Sequence, residues 1–451
     1  MSFYCRLFDL SFRLRDYLKE TGVYSLYDQL KEEQFLPYER IAQLQSERLQ
    51  HLLRRAQKHS PYYRHLFRKH NIEIDERFDM SRLRALPLLR RENLQESIDD
   101  ILCEDAHHVR RNSSGGSTGN PVNFYQDDTY ARWSEAQNLL FYSWLGVQPG
   151  EKTAVFWGAD RDLKDLSLND RLFNRIHRLK QLNSFSMTEE NLSGFIDELN
   201  KYRPRYVYGY SSSLSLAAQF INKSKPLTFT PLSVRSSAEM LYVHQRNEIE
   251  RAFGARVYNS YGSREVNNMA AECSVHDGLH IFASGRIVEV VDHNGIPVPD
   301  GTMGNIVVTD VTNMAFPFIR YLIGDVAVKR REPCSCGRGY PLLVKIEGRS
   351  SDMIVVNGQY IHGEFFTHLF YDRRGIKRFQ LVQEDTNHLR LRVVSHDNRL
   401  DLDDILTSIH ERVGKGVTIE LEYTDTIPPT PSGKYRFTIS KLPGRMKNDI
   451  A

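Results

Sequence analysis

Seven consecutive residues, Ser113-Ser114-Gly115-Gly116-Ser117-Thr118-Gly119, offer hydroxyls and unscreened backbone amides and little else. Amides that no side chain blocks can converge on an anion, and serine and threonine hydroxyls add donors. The run therefore has the chemistry of a phosphate cradle. A basic pair, Arg110-Arg111, precedes it and Pro121 follows it. The same composition also describes a flexible surface linker. The rest of the chain has to choose between the two.

Carboxylates and one late lysine bear on that choice. Tyr261-Gly262-Ser263-Arg264-Glu265 falls at the carboxyl end of a predicted strand, where open α/β sheets bind ligands. Glu265 there can hold Mg2+ beside a triphosphate, or it can be a solvated loop acid. Ser236-Ser237-Ala238-Glu239 lies at a similar strand end and can flank a purine. Asp325 follows Gly324. A carboxylate in that place can accept both hydroxyls of a ribose, although Gly-Asp is also a common turn. Pro428, Pro429, Pro431 and Gly433 stiffen a loop that presents Lys434. On a mobile domain such a lysine can deliver positive charge to a developing anion. With 60 Lys+Arg in the chain, an ordinary surface lysine is the competing reading.

A separate set of residues suits a metal. Cys273 and His276 form one pair, and Cys334 and Cys336 another. Three thiols and an imidazole from two hairpins fit tetrahedral Zn2+, with no position left open for chemistry. His280, at strand spacing, competes with His276 for the fourth place, and unpaired buried thiols are the alternative.

These residues need a scaffold, and the patterning supplies one. Residues 1–100 read as mostly helical. Ile41, Leu44, Leu49, Leu52 and Leu53 lie near one face of a helix that Ser60-Pro61 ends. From Asn123 onward short apolar strands alternate with amphipathic helices, one of them capped at Thr188. That rhythm predicts a largely parallel sheet with helices on both faces. After Gly278, strands joined by Asn294-Gly295 and Asp300-Gly301 predict an antiparallel region. The last hundred or so residues read as a small α+β domain. The fold class is thus α/β: a large domain over 1–347 with parallel sheets and a small antiparallel region, then a small mobile domain over 348–451. Arg349, Ser350, Ser351 and Asp352 sit at the joint, and small polar residues there suit a hinge.

Composition excludes several classes. Sixty basic against 57 acidic side chains, a formal net charge of +3 over 451 residues, argue against a dedicated nucleic-acid binder. No apolar run approaches the roughly 20 residues that a bilayer needs, so no transmembrane segment is expected. Asp9, Arg13, Arg15 and Asp16 interrupt any signal-peptide core. Phe3, Leu7, Leu10, Leu14 and Tyr17 recur at helical spacing. That stripe is expected to pack on the protein itself, with docking to a membrane surface or a partner as the sharper reading. Five cysteines form no disulfide framework in so long a chain, so a reducing cytoplasm is expected. The loop lacks a Gly-Lys-Ser/Thr ending, which disfavours a P-loop NTPase.

In this order, the Ser/Gly loop, Tyr261–Glu265, Tyr321–Asp325, Gly348–Asp352 and Pro431–Lys434 resemble the adenylate-forming enzyme superfamily. More closely, the chain is similar to the phenylacetate–CoA ligase branch and its CapK-type relatives in capsular polysaccharide biosynthesis. The stretch Leu86–Leu94 is similar to that branch's "LP-x-x-x-K/R-x-x-L", and Ser113–Pro121 matches its "SSGGSTG-x-P". The resemblance spans residue 40 to the C-terminus. It implies that a carboxylic acid is activated by ATP as an acyl-adenylate. The acyl group then passes to CoA, a carrier thiol, or an amine in surface-polysaccharide assembly. It implies Mg2+ on Glu265, phosphates in the Ser113–Gly119 loop, a purine flanked by Ser236–Glu239, and nucleotide binding at Ser237, Ala238, Glu239, Tyr261, Gly262 and Ser263. It gives Asp325 the ribose, Arg349 the ribose and phosphate side, and Lys434 the bridge between carboxylate and α-phosphate. The hinge pivot falls at Ser351, where many relatives carry Asp or Lys. The implied setting is cytoplasmic or peripheral at the inner membrane face. A nucleotide-binding scaffold without catalysis is the alternative. Trp157 and Tyr210 fall where the branch builds its acyl pocket and would suit an aromatic or amphipathic acid, and equally they fit an ordinary core.

Overall fold

The computed structural model describes residues 2–75, 78–114, 122–157, 167–184, 187, 189–349, 353–356, 359–370, 373, 375–395, 400–414, 416–428 and 435–442. The chain opens on helices: α1 (Phe3–Lys19), α2 (Val23–Glu33), α3 (Tyr38–His59), α4 (Pro61–Lys69), α5 (Arg91–Glu96) and α6 (Ile98–Ile101). Ser60-Pro61 separates α3 from α4. Ser60 caps α4 through the Tyr63 amide, and Pro61 takes the first helical position, where its missing N–H costs nothing. α3 buries Ile41, Leu49, Leu52 and Leu53. Gln45 shares that face because its amide donates to the carbonyls of Ala283 and Arg286, both at 2.9 Å.

The α1 stripe does not pack inward as expected. Phe3, Leu7, Leu10, Leu14 and Tyr17 are exposed, while Cys5 and Phe8 are buried. α1 is apolar on two faces. The one that carries the stacked pair Phe8–Phe12 packs onto His177.

Strands β1 (Arg110–Ser113) and β2 (Asn123–Gln126) pair antiparallel around the Ser/Gly loop. Asp127 caps α7 (Asp128–Trp144) by accepting from the Tyr130 amide at 2.7 Å. Alternation follows: β3 (Thr153–Phe156), α8 (Leu168–Ile176), β4 (Leu179–Leu182), α9 (Glu189–Tyr202), β5 (Tyr206–Tyr210), α10 (Ser211–Lys223), β6 (Ser233–Ser237), α11 (Val243–Phe253) and β7 (Val257–Tyr261). Thr188 lies outside the described residues. Gly254 ends α11 at φ +64°, a left-handed cap that glycine adopts without strain. The strands run parallel in the order β4-β3-β5-β6-β7. Side chains alternate across this sheet. Val207, Val234 and Val257 join the core of α9, α10 and α11. Tyr206 and Tyr258 join the core of α3 and α7.

The sheet does not stop at the parallel region. β8 (Ala270–Glu272), β9 (Leu279–Ile281), β10 (Arg286–Val291), β11 (Met303–Asp310), β12 (Phe318–Arg330) and β13 (Leu342–Arg349) extend it in the order β7-β8-β9-β13-β12-β11-β10. The pairs β7–β8, β8–β9, β9–β13 and β10–β11 are antiparallel. The antiparallel region thus continues the parallel one instead of forming a separate layer.

Chain contacts divide the molecule into Met1–Ile323 with Ala327–Ile346, and Gly324–Val326 with Glu347–Ala451. The second unit holds a hairpin of β14 (Met353–Val356) and β15 (Gln359–His362). Then come α12 (Gly363–Phe370), β16 (Ile376–Gln383), β17 (His388–Ser395), α13 (Asp403–Val413), β18 (Thr418–Tyr423) and β19 (Thr438–Ser440). A four-stranded sheet runs β18-β17-β16-β19. Phe366, Leu381, Leu391, Ile405 and Ile409 form its core against α12 and α13. Among the described residues, no helix is long and apolar enough to cross a membrane.

Candidate active site

Backbone geometry first fixes the mouth of the Ser/Gly loop. The Ser114 amide donates to the Val122 carbonyl at 2.8 Å, and the Val122 amide donates to Ser114 Oγ at 2.9 Å. This pair of hydrogen bonds closes the neck of the loop. Gly115, Gly116, Ser117, Thr118, Gly119 and Pro121 lie outside the described residues. Arg91 reaches the neck, its guanidinium donating to Ser114 Oγ at 3.4 Å. The segment that delivers Arg91 is itself held. Leu89 bridges Tyr321 of β12 in parallel, with bonds of 3.0 and 2.9 Å on either side. Arg91 is the basic residue of the Leu86–Leu94 motif, and sequence reading had given it no role.

The neck meets the turn after β7. Gln126 donates to the Arg264 carbonyl at 3.0 Å, and Arg264 donates back to the Ser113 carbonyl at 3.4 Å. The turn is tightly built. Ser263 and Val266 bond each other through amide, carbonyl and hydroxyl, each at 3.1 Å. A Cβ at Gly262 would lie 3.0 Å from the Asn268 amide nitrogen, so only glycine fits without displacement. Tyr130 of α7 braces the turn by accepting from the Asn267 amide at 2.9 Å. Glu265 is buried in this frame, and Tyr321 donates to its Oε1 at a long 3.4 Å. That leaves carboxylate lone pairs for a cation.

The end of β6 is the second wall. Ser237 donates to the Ser260 carbonyl at 3.3 Å, which ties the ends of β6 and β7. Ala238 sits at φ +67°, a left-handed conformation rare for a residue with a Cβ. Such an outlier persists only where its surroundings impose it, and outliers of this kind gather at ligand sites. The Glu239 carboxylate accepts from the Ser212 amide at 2.8 Å and so caps the start of α10. Tyr261 ends β7 and Gly262 and Ser263 follow it, so Ser237, Ala238, Tyr261, Gly262 and Ser263 share the carboxyl edge of neighbouring strands.

An aromatic cluster lies at the same end of the sheet. Trp157, just past β3, stacks on Tyr210 with centroids 4.0 Å apart and on Tyr208 at 5.2 Å. Arg235, a cation sequence reading passed over, is buried beside them. Its guanidinium lies over the rings of Tyr208 and Phe141 at 4.8 and 4.9 Å, and its Nε donates to Ser260 Oγ at 2.8 Å. Only the charge inside an otherwise strand-like "SVRSS" could have signalled it.

Asp325 lies on β12 and is partly buried. Arg349 ends β13, and its side chain is outside what the structure describes, as are Ser351, Asp352 and Lys434.

The three cysteines proposed as metal ligands come together, but with His280 and not His276 as the fourth residue. Cys273, His280, Cys334 and Cys336 place their ligand atoms within 4.8 Å of one another. The Sγ atoms of Cys273 and Cys334 are 3.8 Å apart, and Cys336 Sγ is 3.2 Å from His280 Nε2. Tetrahedral zinc with sulfur at ~2.3 Å would set sulfurs about 3.8 Å apart. The His280 Nδ1 bonds the Tyr340 carbonyl at 3.1 Å, which leaves Nε2 to face the thiols. Burial pushes His280 down to about 4, so the imidazole is neutral and its lone pair is available. His276 is not in the cluster. Its Nδ1 lies 3.1 Å from Glu272 and 3.3 Å from Arg246. Cys-x-x-His spacing suggested it, but β9 carries His280 across to the cysteines and leaves His276 in the turn at φ +60°.

Comparison with known proteins agrees with this geometry. The family model of the CapK C-terminal domain matches residues 353–441. Protein CapK of Staphylococcus aureus is 24% identical over 418 residues, 89% of this chain and 90% of its own. A phenylacetate–coenzyme A ligase of Thermus thermophilus is 25% identical over 72% of this chain and 74% of its own. In fold, a 2-hydroxyisobutyryl-CoA ligase solved in the postadenylation state superposes with a TM-score of 0.71 at 20% identity, over 91% of this chain and 92% of that one. Over most of its length the chain is thus similar to CapK and to the phenylacetate–CoA ligases, its residues 353–441 match the CapK C-terminal domain, and its fold is that of an adenylate-forming CoA ligase.

Proposed function

We propose that the chain uses ATP to activate a carboxylic acid and then passes the acyl group to a thiol or an amine. One observation carries this reading. The neck of the Ser/Gly loop and the turn holding Glu265 are hydrogen-bonded to each other at the carboxyl edge of the parallel strands. In the first step a carboxylate oxygen attacks the α-phosphorus. The bond to the β-phosphate breaks and pyrophosphate leaves. In the second step the acceptor attacks the acyl carbon, loses its proton, and AMP departs.

Each residue has a task in this scheme. The loop from Ser113 to Gly119 cradles the β- and γ-phosphates, with Arg91 adding positive charge at its neck. Ser237, Ala238, Glu239, Tyr261, Gly262 and Ser263 border the adenine. Asp325 accepts from the ribose hydroxyls, and Arg349 stands on the ribose and phosphate side. Mg2+ on Glu265 would neutralise phosphate charge. Lys434 bridges carboxylate and α-phosphate in the first step. Residues 348–451 then turn about Ser351, relative to residues 1–347, so that the acceptor can enter. Trp157, Tyr208 and Tyr210 wall the acid, and their flat faces suit an aromatic or amphipathic one. CoA is the acceptor in the name of the phenylacetate–coenzyme A ligase relatives, and a carrier thiol or an amine on a sugar or amino acid is the alternative. Cys273, His280, Cys334 and Cys336 would hold Zn2+, which would brace β9 against the loop before β13.

The test follows nucleotide products. Incubation with ATP, Mg2+ and each of a panel of carboxylic acids should yield AMP, and added hydroxylamine should trap the acyl group as a hydroxamate. ADP as the product, or AMP release that no acid stimulates, overturns the reading.

A further inference from the structure

The inward face of α1 holds the helix to the body of the protein. Phe8 and Phe12 each meet the His177 ring at 5.2 Å, and the Tyr4 hydroxyl donates to the Ile176 carbonyl at 2.7 Å. The opposite face carries Phe3, Leu7, Leu10 and Leu14, which are 83%, 55%, 64% and 56% exposed. α8 lies beside it and repeats the pattern. Leu168, Leu172 and Phe173 are 82%, 57% and 53% exposed. Two neighbouring helices thus turn apolar stripes to solvent. A surface of this kind marks an interaction site more often than scattered single side chains do.

Charge identifies what covers it. At about 100° per residue, Arg6 falls on one flank of the α1 stripe and Arg15 on the other. Arg6, Arg15, Lys19, Arg171 and Arg175 are all exposed. The acids of these helices are engaged. Asp9 pairs with Arg13 at 3.0 Å, Asp16 accepts from the Val23 and Tyr24 amides at 2.9 Å, and Asp170 is bound to Ser167 at the start of α8. The Arg178 guanidinium lies 4.7 Å over the Tyr4 ring. Between the helices is a groove of about 470 Å3, lined by Tyr4, Leu172, Arg175, Ile176 and Arg178. Apolar walls with two arginines match an acyl chain with its phosphate. Helices with an apolar face, aromatic ends and basic flanks lie in the plane of an anionic interface, the long basic side chains reaching back to the headgroups.

We propose that α1 and α8 dock the protein on an anionic lipid surface, with their exposed stripes in the interface and their arginines at the phosphates. The test is sedimentation of the full chain with vesicles of phosphatidylcholine, alone or mixed with phosphatidylglycerol. Binding is expected on the mixed vesicles, weak on phosphatidylcholine alone, and reduced on raising salt from about 0.1 to about 1 M. Leu10→Asp/Leu14→Asp should lower the partition coefficient roughly tenfold or more. Arg6→Glu/Arg15→Glu, which removes none of the exposed apolar side chains, should lower it on mixed vesicles alone. Circular dichroism and thermal melting confirm that both variants fold. Equal binding to neutral and mixed vesicles, or undiminished binding by both variants, overturns the proposal. So does a concentration-dependent dimer that Leu10→Asp/Leu14→Asp abolishes while the parent ignores vesicles, because the surface then belongs to a second copy.

Discussion

Single side chains carry most of the chemistry, and some of them were easier to read than others. Glu265 and Ser114 stood out in the sequence because motif and strand end coincide there. The task of Ser114 did not, because its bond to Val122 closes across a loop. His276 was chosen over His280 on local spacing. His280 wins because strand pairing sets Ala271 of β8 and Leu342 of β13 on either side of it, a relation no local window contains. This difference is testable. The parent, purified without chelator, should hold about one zinc per chain. His280→Ala and Cys334→Ser should lose most of it, and His276→Ala should keep it while disturbing Glu272 and Arg246. Zinc lost in His276→Ala and kept in His280→Ala would reverse the assignment. Asp325→Ala should weaken ATP binding by about 1–3 kcal/mol, the scale of a hydrogen bond to a charged group. Calorimetric titration measures it. An altered preference among acids instead would place Asp325 in the acyl pocket.

Among the elements, β3 and the run from α9 to β7 follow from apolar periodicity and glycine punctuation, whereas α8 and β4 between them were missed. α12 was missed because "GEFFTHLF" is apolar almost throughout and shows no clear period. β19 was missed because three residues carry no alternation, and its place is fixed by parallel pairing with β16. The outward stripe of α1 was misjudged because a helix with two apolar faces does not say which one is buried. The turn after β6 was read from "SSAE" as a site, but its strain was invisible. Ala238 at φ +67° makes that strain measurable. Ala238→Val should cost about 1–3 kcal/mol in denaturant unfolding, because a β-branched residue tolerates that conformation poorly. Ala238→Gly should be neutral within about 1 kcal/mol. Equal loss from both would mean that the alanine methyl, and not the turn's backbone, matters there.

The molecule as a whole has a long sheet, whose strand ends carry the residues proposed to hold the nucleotide, and a second unit that carries Lys434 in its sequence. Division of labour in time follows from that design. A lysine that serves only the first step should matter little to the second. Lys434→Ala should cut adenylate formation by roughly 10²–10³, the scale for losing one stabiliser of developing charge. Acyl transfer from a supplied acyl-adenylate should fall far less, and equal loss in both steps would rule out the rotation. The proposed reaction begins by joining a carboxylate to AMP. Exchange of labelled pyrophosphate into ATP, run with each acid of a panel and with none, reads that step alone. Exchange should occur only when an acid is present, and Lys434→Ala should lose it by the same roughly 10²–10³. Exchange that no acid in the panel elicits, from protein that binds ATP, would contradict a ligase and leave a nucleotide-binding scaffold in its place.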